Sequence, residues 1–322
     1  MAGRWTSGCR LCPTRAAAGR RPLRTALVAL ALALFIARPG NGWAQALSID
    51  VRSRAAQPGE VLVVTVTTPR EVAALSVHAF NVSWPVYQID NTTWRALLGI
   101  DLDQRPGTYP LTVEATAPHV TVEATAPHVL IARRDLTVAA HRFPRRVLQV
   151  APDFVNPPPD VLARISSDNA FMRTVYARSA TSAAWRTGFT RQVPGPANSS
   201  FGTRSVFNGE ARSPHAGTDF LSPAGTPVLA PAAGRIVAAR DLFFTGNTVV
   251  IDHGLGVFSM LAHLSRIDVH EGQEVTADNS VGLVGATGRV TGPHLHWALR
   301  IGAARVDALS ALALLGTNQQ AP

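Results

Sequence analysis

The residues able to do chemistry crowd into the last third of the chain, where six of the ten histidines fall: His215, His253, His263, His270, His294 and His296. In "TGPHLHWALR" (291–300), His294 and His296 stand two apart in an otherwise apolar run. Side chains alternate across a β-strand, so Leu295, Trp297 and Leu299 would form a core face, and His294, His296 and Ala298 the opposite one. In "SPHAGTDF", His215 and Asp219 are four apart with Gly217 between them. The surrounding Pro and Gly break helices, which predicts a loop running into a strand, where i and i+4 again share a face. One imidazole and one carboxylate from that segment, plus an imidazole from the H-x-H strand, make three ligands. A catalytic zinc site uses three, with a fourth position left open. His215, His294 and His296 together, with Asp219 orienting one of them, satisfy the same count. No H-E-x-x-H occurs, so the glutamate base of that helical motif is absent.

The elements that must position these groups are β-rich. From Phe201 to about Leu309, short apolar runs such as "NTVVIDHG", "GVFSMLAHL" and "SVGLVGATG" alternate with Gly, Pro and Asn turns, which predicts a compact antiparallel β unit over 201–309. The glycines of "GLVGATGRVTG" lack a following G-K-S/T and read as tight turns. Ahead of it, residues 47–140 show six β runs separated by turn signals, the pattern of an Ig-like β-sandwich. Inside lies the tandem repeat "TVEATAPHV" at 112–120 and 121–129. Its odd period would put the two copies on opposite faces of one strand, so one copy is expected to loop out, with His119 and His128 in turns. Residues 141–200 read as a connector with one helix begun by "NPPPD" and interruptible near Asp168-Asn169, and 310–322 as a tail.

"FNGEARSPHAGTDF", "MLAHLSRIDV" and "GATGRVTGPHLHWALR" together resemble, in order, the three signature blocks of the lysostaphin/LytM-type zinc metalloendopeptidases, which cut peptide bonds in bacterial peptidoglycan. The resemblance covers about 110 residues, Phe201 to Asp307. It implies a duplicated-hybrid-motif fold and one Zn2+ per chain, held by His215, Asp219 and His296. It also implies two catalytic histidines, His263 and His294, and amide hydrolysis by metal-activated water. Leu261 stands where many members carry an aromatic residue, which would alter the groove wall, and "TADNSVG" replaces a common Gly-Gln turn. Non-catalytic relatives that activate another wall hydrolase are the alternative reading, but they typically lack some of these ligands, and all five residues are present here.

Composition narrows the partners. The formal charge is +9, yet the chain has no lysine, and seven arginines but no acid lie within residues 1–46. The remaining 23 arginines face 21 acids, so no nucleic-acid partner is indicated and peptidoglycan is the expected one. The absence of lysine excludes Schiff-base chemistry. Residues 1–46 read as a secretory signal: an Arg-rich start, the apolar run Ala26 to Ile36, and "AQA" predicting cleavage after Ala46. Arg20 and Arg21 match a twin-arginine signal only loosely. Eleven apolar residues are too few to span a bilayer, which takes about 20, so no stable membrane anchor is expected, and the destination is periplasmic or extracellular. Both cysteines, Cys9 and Cys12, fall in that leader, leaving His and carboxylates to build any metal site. His253, with Asp252, reads as structural and His270, beside Glu271-Gly272, as a solvated turn residue; Arg212 is a candidate for a substrate carboxylate or a surface ion pair.

Overall fold

The computed structural model describes residues 47–117, 129–149, 157–198 and 201–316. The expected signal peptide with both cysteines, and His119 and His128 of the repeat, lie outside these residues. The protein is mainly β. Among the described residues its N-terminal part has eight strands: β1 (Ser48–Ser53), β2 (Val61–Thr67), β3 (Ala74–Ala79), β4 (Val82–Trp84), β5 (Val86–Gln88), β6 (Thr93–Gly99), β7 (Gly107–Thr116) and β8 (Val129–Val138). They form two four-stranded antiparallel sheets, ordered β1-β2-β6-β5 and β4-β3-β7-β8. Thr112–Thr116 of the first repeat copy end β7, and Val129, the last residue of the second copy, opens β8 by pairing with Thr116.

The sequence between the β-rich parts contributes β9 (Arg145–Leu148) and α1 (Pro159–Tyr176). Prolines open α1, where a missing N–H costs nothing, and Asp160 sits favourably in its first turn. The helix runs unbroken through Asp168-Asn169, because Asp168 accepts a hydrogen bond from the Phe243 N–H (2.8 Å) rather than capping its own backbone.

The C-terminal part comprises β10 (Ala197–Asn198), β11 (Arg204–Phe207), β12 (Glu210–Ala211), β13 (Thr218–Phe220), β14 (Pro227–Leu229), β15 (Gly234–Leu242), β16 (Gly246–Gly254), β17 (Val257–Ile267), β18 (Glu274–Val275), β19 (Ser280–Val284), β20 (Leu295–Ile301), β21 (Ala304–Val306) and α2 (Ala308–Leu315). The main path of its large sheet is β10-β13-β20-β17-β16-β15-β18. A small sheet joins β9 to β11 in parallel and β11 to β12.

One face of β20, with Leu295, Trp297 and Leu299, is buried in the main core, as alternation predicts. Trp297 is fully buried and donates its indole N–H to Ser259 Oγ (3.0 Å). The opposite face lies toward α1, where Arg300 stacks on Tyr176 at 4.5 Å. The main core does not stop at the N-terminal sheets: Val61, Leu97, Trp297, Ile301, Val306 and Ala308 belong to one apolar cluster. β2 is accordingly buried along nearly its whole length, the mark of a strand covered on both faces. Gly99 of β6 meets β21 so closely that a Cβ there would lie 2.6 Å from Ala304 Cβ.

Residues 310–315 correct the expected tail. They complete α2, with Ser310, Ala311 and Leu315 buried against the same core, and the run "ALSALALL" is apolar because most of the helix is covered. Asp307 caps α2 by accepting from the Leu309 N–H (3.1 Å). No helix among the described residues is long and apolar enough to cross a membrane.

Candidate metal centre

Strand register brings the ligands together. Asp219 on β13 pairs directly with His296 on β20, which places carboxylate and imidazole side by side on one face. His215 sits in the loop before β13, pinned through its own N–H to Thr203 O (3.0 Å) and through its carbonyl to the Gly202 N–H (2.7 Å). Gly217 makes the approach possible, since a Cβ there would lie 2.5 Å from His296 Cε1 and 2.6 Å from Nε2.

The three ligand atoms converge. His296 Nδ1 lies 3.0 Å from Asp219 Oδ1 and 3.0 Å from His215 Nε2, and His215 Nε2 lies 3.3 Å from Asp219 Oδ1. Donors bound at about 2.0–2.1 Å to one tetrahedral ion stand about 3.3 Å apart, so these three residues fit a single small divalent ion. His294 is excluded from that tight triangle: its Nε2 is 3.7 Å from Asp219 Oδ1, while its Nδ1–H donates to Gly292 O (2.9 Å). Burial opposes ionisation of Asp219, but hydrogen bonds and charge from His215 and His296 outweigh it and hold the carboxyl below its usual range. Burial lowers the pKa of His296.

His263 arrives by a different device. Opposite Thr248 of β16, the neighbouring strand β17 carries two residues, Ala262 and His263, because the register shifts between Asn247↔Leu264 and Val249↔Leu261. Ala262 pairs with His296, so regular alternation would send His263 to the core face. The bulge and a left-handed backbone (φ 65°) at His263 turn it back to the site instead. Its ring lies 4.9 Å from that of His294 and 5.7 Å from that of His296, and its Nδ1–H donates to Thr287 O (2.9 Å). Burial, then the charge of His296, lowers its pKa to about 4.

These residues line a cleft of about 620 Å³, whose other walls include Ser205, Phe244, Thr245 and Arg289, together with Pro144 and Arg146 from the β9 segment. Spacing in the sequence pointed to His215, Asp219, His294 and His296. It gave no sign of Arg146, in a stretch read as connector, or of the Thr287 and Gly292 carbonyls, which act through backbone. The "RR" pair at 145–146 was the available signal for the former.

Other expectations resolve elsewhere. Leu261 is fully buried in the core beside Trp297, not in the groove wall, because the bulge comes after it. His253 is buried, bonded to Ala233 O (2.8 Å) and Ser259 Oγ (2.9 Å), and Asp252 accepts from Ser179 Oγ, Ala180 N and Gly254 N. His270 is an exposed turn residue, and Arg212 pairs with Glu210 at 3.0 Å.

Comparison with known proteins agrees with this geometry. The profile of Peptidase family M23 matches residues 213–308. Over 98 residues the chain is 47% identical to peptidoglycan DD-endopeptidase ShyA of Vibrio cholerae, a match covering 30% of this chain and 23% of that protein. Over 96 residues it is 44% identical to the DD-carboxypeptidase/endopeptidase Mpg of Neisseria meningitidis, covering 30% and 22%. The matches thus span less than a quarter of these relatives. The crystal structure of a protein assigned to peptidase M23 from Pseudomonas aeruginosa superposes with a TM-score of 0.60 at 33% identity, over 82% of this chain and 96% of that one. With the likeness extending from the metal triad to nearly the whole of a solved relative, the chain belongs to peptidase family M23.

Proposed function

We propose that this protein is an exported, zinc-dependent endopeptidase that hydrolyses peptide bonds in peptidoglycan. One observation carries the reading: the ligand atoms of His215, Asp219 and His296 stand 3.0–3.3 Å apart in a cleft that also holds two imidazoles tethered through Nδ1. Two imidazoles and a carboxylate are a donor set that suits zinc, which when bound supplies the Lewis-acid charge that makes water a nucleophile near neutral pH. The carbonyls of Thr287 and Gly292 fix each tethered ring as the Nδ1–H tautomer, leaving Nε2 of His263 and His294 to take a proton from water or deliver one to the leaving amine. In their protonated forms the same rings would stabilise the developing oxyanion.

The name of the Vibrio cholerae relative, a peptidoglycan DD-endopeptidase, supports peptidoglycan as substrate, and a substrate outside the cytoplasm supports export through the leader at 1–46. The two N-terminal sheets (47–140) are taken as an Ig-like sandwich, 141–200 as a connector and 201–309 as the peptidase unit, which α2 completes.

The test is to incubate the protein with purified sacculi, with and without a zinc chelator, and to identify released fragments by mass spectrometry. Release that chelation and His215→Ala both abolish is expected. Absence of release with zinc bound would favour a regulator of another hydrolase.

A further inference from the structure

The cleft beside the metal triad is strongly unbalanced in charge. Arg145, Arg146 and Arg289 line it, and the one carboxylate lining it among the described residues, Asp219, is committed to the triad. Neither Arg146 nor Arg289 forms an ion pair with a carboxylate among the described residues, whereas Arg54, Arg164, Arg204, Arg240, Arg266 and Arg305 each do. Both are nonetheless held in place. Arg146 stands in register with Ser205 across the β9–β11 pair and donates to its Oγ at 3.3 Å. Arg289 lies with its guanidinium over the Phe244 ring at 4.4 Å, and its backbone N–H donates to Phe244 O at 2.9 Å. A guanidinium stacked on a ring keeps its N–H edge free for a planar anion, and a carboxylate matches that fork with two parallel hydrogen bonds.

We propose that Arg146 and Arg289 bind free carboxylates of the peptide lying in the cleft, making the protein selective for acidic over amidated peptides. The two residues come from separate elements, the β9 segment and the turn between β19 and β20, so they offer two anchoring points. The cleft is of a size that takes a short peptide, within the roughly 300–1,000 Å³ of ligand sites. This rests on the reading of the cleft as a peptide-hydrolysing site, and Arg146 and Arg289 act as specificity-determining residues.

The experiment uses two synthetic stem-peptide dimers of identical sequence, one with free carboxylates and one with those groups as carboxamides. The zinc-loaded protein is expected to show a kcat/KM about tenfold or more higher for the carboxylate form. Arg146→Ala and Arg289→Ala are each expected to raise KM for that form about tenfold, with kcat within about twofold, and to raise KM for the amidated form several-fold less. Arg→Lys at either position should restore part of the preference, since charge is kept and the fork lost. Equal effects on both peptides, or no preference in the wild type, would overturn the proposal. Binding of both peptides to zinc-loaded His294→Ala, measured by calorimetry, separates the two readings. Tighter binding of the carboxylate form without hydrolysis by the wild type removes the hydrolase reading and leaves carboxylate selection standing. Equal binding of the two forms removes carboxylate selection whatever the hydrolysis assay gives.

Discussion

Two clusters of charged and polar groups flank neighbouring residues of β13 and are built on opposite plans. From Thr218 a closed network runs into the protein: its hydroxyl donates to Asp307 Oδ1 (2.8 Å), Arg54 bridges Asp307 Oδ2 (2.7 Å) and Glu60 Oε1 (2.7 Å), and Ser310 donates to Glu60 Oε2 (2.7 Å). Every carboxylate oxygen there has a donor. At Asp219 the pattern reverses, and ligand atoms of two imidazoles and a carboxylate face one another at 3.0–3.3 Å. The same contrast separates two histidines that burial lowers alike to about 4. His253 spends both ring nitrogens on protein oxygens, whereas His263 is held through Nδ1 and lines the cleft. Burial and a shifted pKa are therefore common to structural and functional sites; what marks the latter is hydrogen-bonding capacity left unspent in one direction.

If that contrast is right, substitutions on the two sides should fail differently. The largest effect belongs to the triad: His215→Ala, Asp219→Ala or His296→Ala should lose stoichiometric zinc, measured by atomic emission, and reduce hydrolysis at least about 1,000-fold. Next, His294→Ala and His263→Ala should keep zinc while turnover falls about 10²- to 10⁴-fold. Zinc loss in His294→Ala would revive the all-histidine site. Asp307→Ala, in the closed network, should leave zinc stoichiometry intact yet lower stability by about 3 kcal/mol in urea titration, since it removes the cap of α2 and leaves the buried Thr218 hydroxyl without its acceptor, while Arg54 keeps Glu60.

The smallest effect is the acid sensitivity due to His253. Its folded pKa of about 4 lies below the 6.5 of the unfolded chain, so the unfolded state binds the proton first as pH falls. The stabilisation is complete above pH about 6.5 and shrinks by up to about 3 kcal/mol on descending to about 4. Denaturant midpoints between pH 7.5 and 4.5 should fall accordingly, and His253→Gln should make that slope shallower while leaving the like contribution of His263 in place.

How far the sequence could be read follows from the same physics. Alternation placed Trp297 in the core and His296 on the site face, because β20 is regular; Pro and Gly density placed His215 in a loop. His263 was identifiable only through the resemblance of its block, since its orientation depends on an extra residue relative to β16, which one strand's own sequence does not reveal. Helix α2 was missed because its apolar run gains meaning only from the N-terminal strands it covers, far away in sequence. Arg146 was hidden for a related reason: its place in the cleft comes from pairing with β11 across 59 positions.

The apolar cluster shared by β2, β6, β20 and α2 also bears on how the molecule comes apart. Strands that share one core and are linked by Arg54, Glu60 and Asp307 tend to open together, so heating should give one calorimetric transition whose midpoint coincides with loss of bound metal. A truncation beginning near Gln192 would uncover Ile301, Val306 and Ala308 at once and yield an aggregating fragment. Against other proteases, cooperativity of this kind would confine cleavage within β2, β6, β20 and α2 to rare global openings, and the N-terminal sheets would thereby lengthen the working life of a cleft whose walls they do not supply.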